Sequence, residues 1–139
     1  MKKLFLSIVL LLTATISKSQ NLTVMTVDSM CMFEYSDTMS FEDAWDNGNI
    51  TNLGQIRRYN DNFKTWVISG DQITFGNTEP KPCVLNGDKY EYITTKGNTF
   101  KLFLKQDVNT GQKIVFFLEN SKNGKIKGGF TYPTELVML

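Results

Sequence analysis

The sequence predicts an all-β domain, and three observations predict it. Between Tyr90 and Tyr132, apolar and polar residues alternate with the period of two that a half-buried strand requires. Turn signals at Asn86-Gly87, Gly97-Asn98, Asn109 to Gly111 and Asn123-Gly124 punctuate that stretch about every 11 to 14 residues. No helix-length amphipathic pattern occurs from Phe63 onward. Strands joined by such tight turns are antiparallel neighbours, so this half of the chain reads as a meander. Roughly eight to ten strands are expected in all, with at most one short helix near residues 40–47. A sheet of that size hides its edges by closing into a small antiparallel up-and-down barrel, the first expectation, or by folding into a two-sheet sandwich, the second.

The elements follow in order. Asn21 to Asp28 alternates and reads as a first strand, with Met30 to Ser36 as a second. Ser40, with Asp43 three residues on, caps a short helix in SFEDAWDNG that Gly48 ends. Leu53 to Tyr59 is a strand or an irregular link, and Asn60-Asp61-Asn62 is a turn by composition. Phe63 to Ser69 and Gln72 to Phe75 form a hairpin through Gly70-Asp71. Pro80 and Pro82 cannot donate to a ladder and exclude a central strand, and Cys83 to Leu85 is a brief one.

The meander strands have assignable faces. Phe100, Leu102 and Leu104 share one side, leaving Lys101, Phe103 and Lys105 on a mostly wet one. Ile126, Gly128, Phe130 and Tyr132 point inward, and Lys127, Gly129 and Thr131 outward. Ile114, Phe116 and Leu118 fill one face of the next strand, yet Val115 and Phe117 make its other face apolar as well. That strand is therefore central, with the short helix or the N-terminal strands packed on its outer surface. Gly128-Gly129 implies a bulge or bend. The barrel so expected is lipocalin-like in architecture only. No G-x-W motif lies near its start, and no family is assigned.

The chain opens with Lys2 and Lys3, an apolar run from Leu4 to Leu12, and Ser17-Lys18-Ser19, the pattern of a secretory signal peptide cut just before Gln20. The run is shorter than the ~20 apolar residues of a membrane span. Residues 1–19 are thus expected to be a leader and residues 20–139 a single β domain, secreted or periplasmic, with no integral span in the mature chain. From Gln20 to Ile50 there are six acids and no base, while from Lys81 to Lys127 nine lysines face four acids. The acidic segment is expected to lie against the basic sheet of its own molecule or to be solvated. No arginine patch points to nucleic acid.

Cys31 and Cys83 are the only cysteines, and in an exported protein such a pair is expected to form a disulfide. Met25, Met30, Met32 and Met39 crowd around Cys31. They read as core filler rather than copper ligands, because Met30 and Met32 share a strand face that Cys31 does not. Asp46-Asn47-Gly48-Asn49 is a turn rather than a calcium loop, since Gly48 occupies a ligand position. Asn21 and Asn49 each begin an acceptor tripeptide for N-glycosylation, in a chain whose leader is bacterial in style. No metal or other cofactor is expected.

The chain holds no histidine, and it lacks the nucleophile-elbow, zinc-protease and phosphate-loop motifs. Catalysis would fall to carboxylates such as Glu34 with Glu91, or to Asp37, Asp43 and Asp46. The aromatic residues Trp45, Trp66, Tyr90, Tyr92, Phe130 and Tyr132 are the candidate ligand-binding set. The expected function is non-enzymatic binding, of an apolar small molecule inside a barrel or of a protein or glycan on its surface. A carboxylate-dependent hydrolase and a structural or assembly role in the cell envelope, by pairing of strand edges, are the alternatives.

Overall fold

A computed structural model describes residues 22–94 and 96–139, so the expected leader lies outside the described residues. The strands are β1 (Leu22–Thr26), β2 (Ser29–Ser36), β3 (Thr51–Arg58), β4 (Thr65–Ser69), β5 (Gln72–Phe75), β6 (Lys81–Pro82), β7 (Val84–Asn86), β8 (Lys89–Ile93), β9 (Thr99–Gln106), β10 (Lys113–Lys122), β11 (Lys125–Thr131) and β12 (Glu135–Met138). One helix, α1 (Phe41–Asp46), joins β2 to β3. The twelve strands among the described residues exceed the expected number. The short β6 and β7 flank Cys83, and β12 follows Pro133 with no hairpin signal to announce it.

All pairings are antiparallel and fall into two sheets. The large sheet runs β3-β2-β11-β10-β9-β8-β7 and the small one β12-β1-β4-β5-β6. The expected meander is the body of the large sheet. Its last turn has Asn123 at φ 55° and Gly124 at φ 81°, the two positive values that a two-residue hairpin connection demands. The expected barrel does not close. β11 recruits β2 and β3, while β1 pairs with β12 and β4, so the chain crosses between sheets at Val27-Asp28 and builds the sandwich instead.

Both faces of the large sheet are covered. Met25, Val27, Met30, Met32, Trp66, Ile68, Ile73, Leu102, Val115 and Phe117 form the core between the sheets. Phe33, Tyr35, Phe41, Ala44, Phe103, Ile114, Phe116 and Leu118 form a second core, roofed by α1. β10 is thus apolar on both sides for the expected reason, with the helix on one side and the small sheet on the other. Phe103 lies in the second core at 1% exposure, and the expectation of a wet face is corrected there. The stems of Lys89 and Lys105 bring their ammonium groups to 4.7 and 5.9 Å from its ring centre, so the lysines cover the ring rather than signal its exposure. Gly129, read as outward, is likewise buried, against Met30 and Met32 in the core between the sheets.

The helix forms where the sequence places it. Ser40 Oγ accepts from the Asp43 backbone N–H at 3.1 Å, and Glu42 and Asp43 put negative charge in the first turn. Phe41, Ala44 and Trp45 occupy one face at i, i+3 and i+4 and dock on the sheet. Asn49 N–H donates back to the Ala44 carbonyl at 2.8 Å and closes the end. Six residues of helix span ~9 Å, against ~33 Å for the ten-residue β10 beneath it. The roof therefore covers only part of its face, and an open cleft lies along its flank.

Candidate functional site

The floor of that cleft is an aromatic rung. The register aligns Phe103, Phe116, Phe130 and Cys31 across β9, β10, β11 and β2. Phe103 stacks on Phe116 at 5.3 Å between ring centres. Phe41 meets both rings edge-on, at 5.1 and 4.9 Å, and Trp45 meets Phe116 and Phe130 edge-on, at 4.9 and 5.3 Å. Phe41 and Phe116 are sealed, whereas Trp45 and Phe130 are half-buried and Tyr132 is exposed.

The cleft measures about 510 Å³, within the ~300–1,000 Å³ usual for small-molecule sites. Its apolar lining is Phe41, Trp45, Ile114, Phe116 and Phe130; its polar lining includes Asp46, Asp107, Asn109 and Tyr132. The β9–β10 turn forms one wall. Asp107 accepts from the Asn109 backbone N–H at 2.9 Å and from the Tyr132 hydroxyl at 2.6 Å. The Tyr132 bond, aided by the backbone, holds the Asp107 carboxyl below the usual carboxylate range. Gln106 Nε2 donates to the Gly111 carbonyl at 3.0 Å and braces the same turn. Val108 stands at its tip, 92% exposed. The carboxylate of Asp46 and the side-chain amide of Asn109 have no hydrogen-bond or ion-pair partner among the described residues.

A charge cluster fixes the helix at the cleft's other end. Lys89 Nζ lies 2.6 Å from Glu42 and 3.1 Å from Asp88, and Lys105 Nζ lies 3.5 and 2.8 Å from the same pair. The Lys105 hydrogen bond is the main reason that Asp88 is lowered to about 2. Burial pushes Glu42 up, but the hydrogen bond and charge of Lys89, with the charge of Lys105, outweigh it and leave the group lowered. Glu34 pairs with Lys125 at 3.4 Å and Asp28 with Lys64 at 3.1 Å. The acidic segment thus lies in part against basic residues of its own molecule.

The six candidate aromatics do not converge. Trp45, Phe130 and Tyr132 meet in the cleft beside α1. Trp66 and Tyr92 line a separate pocket between the sheets, and Tyr90 lines a third, smaller one with Met25 and Ile68. Asp107, Asn109 and Phe41 escape the sequence reading; the turn composition of DVNTGQ marks the wall that holds the first two, and the predicted helix carries Phe41. Glu34 and Glu91 lie on strands four places apart in the sheet, ~19 Å at the usual strand spacing, too far to act on one bond.

Cys31 and Cys83 are both free thiols, which corrects the expected disulfide. Cys31 faces the α1 side of the large sheet beside Phe130, whereas Cys83 is buried between the two sheets. Opposite faces of one sheet cannot be bridged without moving the backbone. Met25, Met30 and Met32 fill the core between the sheets and Met39 packs under the helix. Among the described residues, no three His, Cys, Asp or Glu side chains are grouped to hold a metal ion, and no helix is long and apolar enough to cross a membrane. Comparison with protein families, curated proteins and solved structures finds no match for this chain.

Proposed function

We propose that this chain is an exported, non-enzymatic binding module whose ligand is a saccharide held in the cleft beside α1. One observation carries the reading: exposed aromatic surface from Trp45, Phe130 and Tyr132 shares a cleft with the Asp46 carboxylate and Asn109 amide, both unpartnered among the described residues. A sugar ring presents apolar C–H faces that suit a flat aromatic platform and a belt of hydroxyls that suit carboxylate and amide acceptors. The platform is preformed, because Trp45 rests on the sealed Phe41 and Phe116, so little entropy is lost on binding.

A binder fits better than a glycosidase. Hydrolysis requires a carboxylic acid that keeps its proton near neutral pH. Glu42 and Asp107, two carboxyls that line the cleft, are both shifted the other way, below their ordinary values. The assembly alternative gains little from the β3 edge of the large sheet. Gly54 at φ 67° and a register shift against β2 disrupt β3, and Arg57 and Arg58 charge its end, devices that blunt an edge.

The test is a titration of residues 20–139 with a panel of soluble oligosaccharides, followed by backbone and indole NMR. Saturable shifts confined to Trp45, residues 107–109 and Tyr132, lost in Trp45→Ala and weakened at least tenfold in Asp46→Asn, are the expected result. Saturable shifts elsewhere, or none across the panel, would overturn the reading.

A further inference from the structure

A second pocket opens on the opposite face of the large sheet, at one end of the space between the sheets. It measures about 220 Å³ and is lined by Arg57, Tyr59, Phe63, Trp66, Phe75, Tyr92 and Phe117. The walls are rings set largely edge to face: Tyr59, Phe75 and Phe117 stand 5.6, 5.0 and 6.3 Å from Trp66, and Tyr92 stands 5.6 Å from Phe75. The indole N–H of Trp66 is already given to the Phe63 carbonyl at 2.9 Å, so it offers the interior no donor. The volume falls below the ~300 Å³ at which drug-sized sites begin, and suits a single ring or a short branched chain.

One charged side chain lines this pocket, the Arg57 guanidinium. Arg57 is opposite Met30 in the register, which turns it toward the space between the sheets. Its ion pair with Glu119 is a single Nη2–Oε2 contact of 3.4 Å between partly exposed groups, weak by the usual standard of surface pairs. A guanidinium has five N–H donors in a planar fork; the long Glu119 contact and a hydrogen bond to Tyr59 use part of it, and the remaining donors are open to a second carboxylate. The hydroxyls of Tyr59 and Tyr92 belong to the same pocket, and burial raises both groups above the ordinary phenol value, so they remain donors.

We propose that this pocket binds a small aromatic carboxylate, its ring among Trp66, Phe75 and Phe117 and its carboxylate on Arg57. The ligand class follows from the charge: the walls accept any ring, but the lining cation favours an anion over a neutral or cationic head. This site lies across the large sheet from the saccharide cleft and does not depend on it.

The probe is phenylacetate, titrated into residues 20–139 and followed by the indole signals of the two tryptophans. Phenylacetamide serves as the neutral control and benzyltrimethylammonium as the cationic one. The proposal predicts saturable shifts at Trp66 but not Trp45, with phenylacetamide at least tenfold weaker and the cation weaker still. Arg57→Gln, an exposed-edge substitution whose spectrum reports that the fold is kept, should reduce phenylacetate to the affinity of the amide. Glu119→Gln should tighten phenylacetate by freeing the guanidinium. Equal binding of acid and amide, tightest binding of the cation, or no saturable shift at Trp66 would overturn it.

Discussion

The two faces of the large sheet solve the same problem by different means. One is covered by five strands, the other by a helix of six residues. A sheet laid on a sheet meets it with an apolar face of its own, so Met25, Val27, Leu102 and Val115 are wholly buried between them. A helix of ~9 Å cannot roof strands of ~25–35 Å. The chain compensates with large rings: Phe33, Tyr35, Phe41, Trp45, Phe103, Phe116 and Phe130 pack on one another under and beside α1. The area left over becomes the cleft. An incompletely covered sheet face is thus both a weaker joint and a place where aromatic surface meets water.

The tryptophans sharpen that comparison most, one on each face. Trp66 is 2% exposed among three rings, so Trp66→Ala should cost about 3–5 kcal/mol and lower the midpoint of chemical unfolding for the whole domain. Trp45 is half-buried on the rim of the cleft, and Trp45→Ala should cost about 1–2 kcal/mol. Denaturant curves for the two variants measure both. Equal losses would mean that the helix side is sealed as well as the sandwich side.

The adjacent glycines of β11 come next, because each faces one core. A Cβ on Gly128 would sit 2.7 Å from the Phe117 carbonyl oxygen and 2.8 Å from the Phe33 ring, atoms that yield poorly. A Cβ on Gly129 would meet the side chains of Met30 and Met32 at 3.0 to 3.2 Å, and thioether chains adjust. Gly128→Ala should therefore destabilise by about 1–3 kcal/mol, and Gly129→Ala by less than about 1 kcal/mol. Thermal unfolding of the pair decides the order.

The smallest effect is in acid and belongs to the helix side. Asp88 and Glu42 have folded-state values below their unfolded ones, so their stabilisation is present above about pH 4 and is lost as pH falls toward about 2. Both groups are partly exposed, so the loss is modest. Backbone exchange between pH 4.5 and 2.5 should increase across Phe41–Asp46 before it increases in β1 or β4. In Lys105→Met, which removes the main cause of the Asp88 shift, that acid step should shrink.

How much of this was legible follows the range of the contacts. The meander is written in local turns, and Asn123-Gly124 or Gly97-Asn98 can be read without knowing what lies beside them. The double-sided β10 announces that both faces are covered, because Val115 and Phe116 are adjacent and both apolar. The sequence is silent on which strands pair across the gap, and that choice made a sandwich rather than a barrel. The same silence explains the cysteines, since spacing along the chain does not say that Cys31 and Cys83 take opposite faces. Phe103 sits between Lys101 and Lys105 in a pattern that suggests water, yet the stems of Lys105 and the distant Lys89 cover its ring. The aromatic set was legible as a set, yet its division among three pockets depends on strand order.

The α1 helix covers its face of the large sheet less completely than the small sheet covers the other. Exchange of the two indole Nε1 protons tests it in one nitrogen-labelled sample. The Trp66 proton, bonded to the Phe63 carbonyl at 2.9 Å on a side chain 2% exposed, should exchange only when the whole domain opens. The Trp45 proton, on the rim of the cleft and without an acceptor among the described residues, should exchange at least a hundredfold faster. Equal protection of the two would contradict the claim, because it would mean that the helix face is as closed as the sandwich and that no open cleft exists for a ligand to enter.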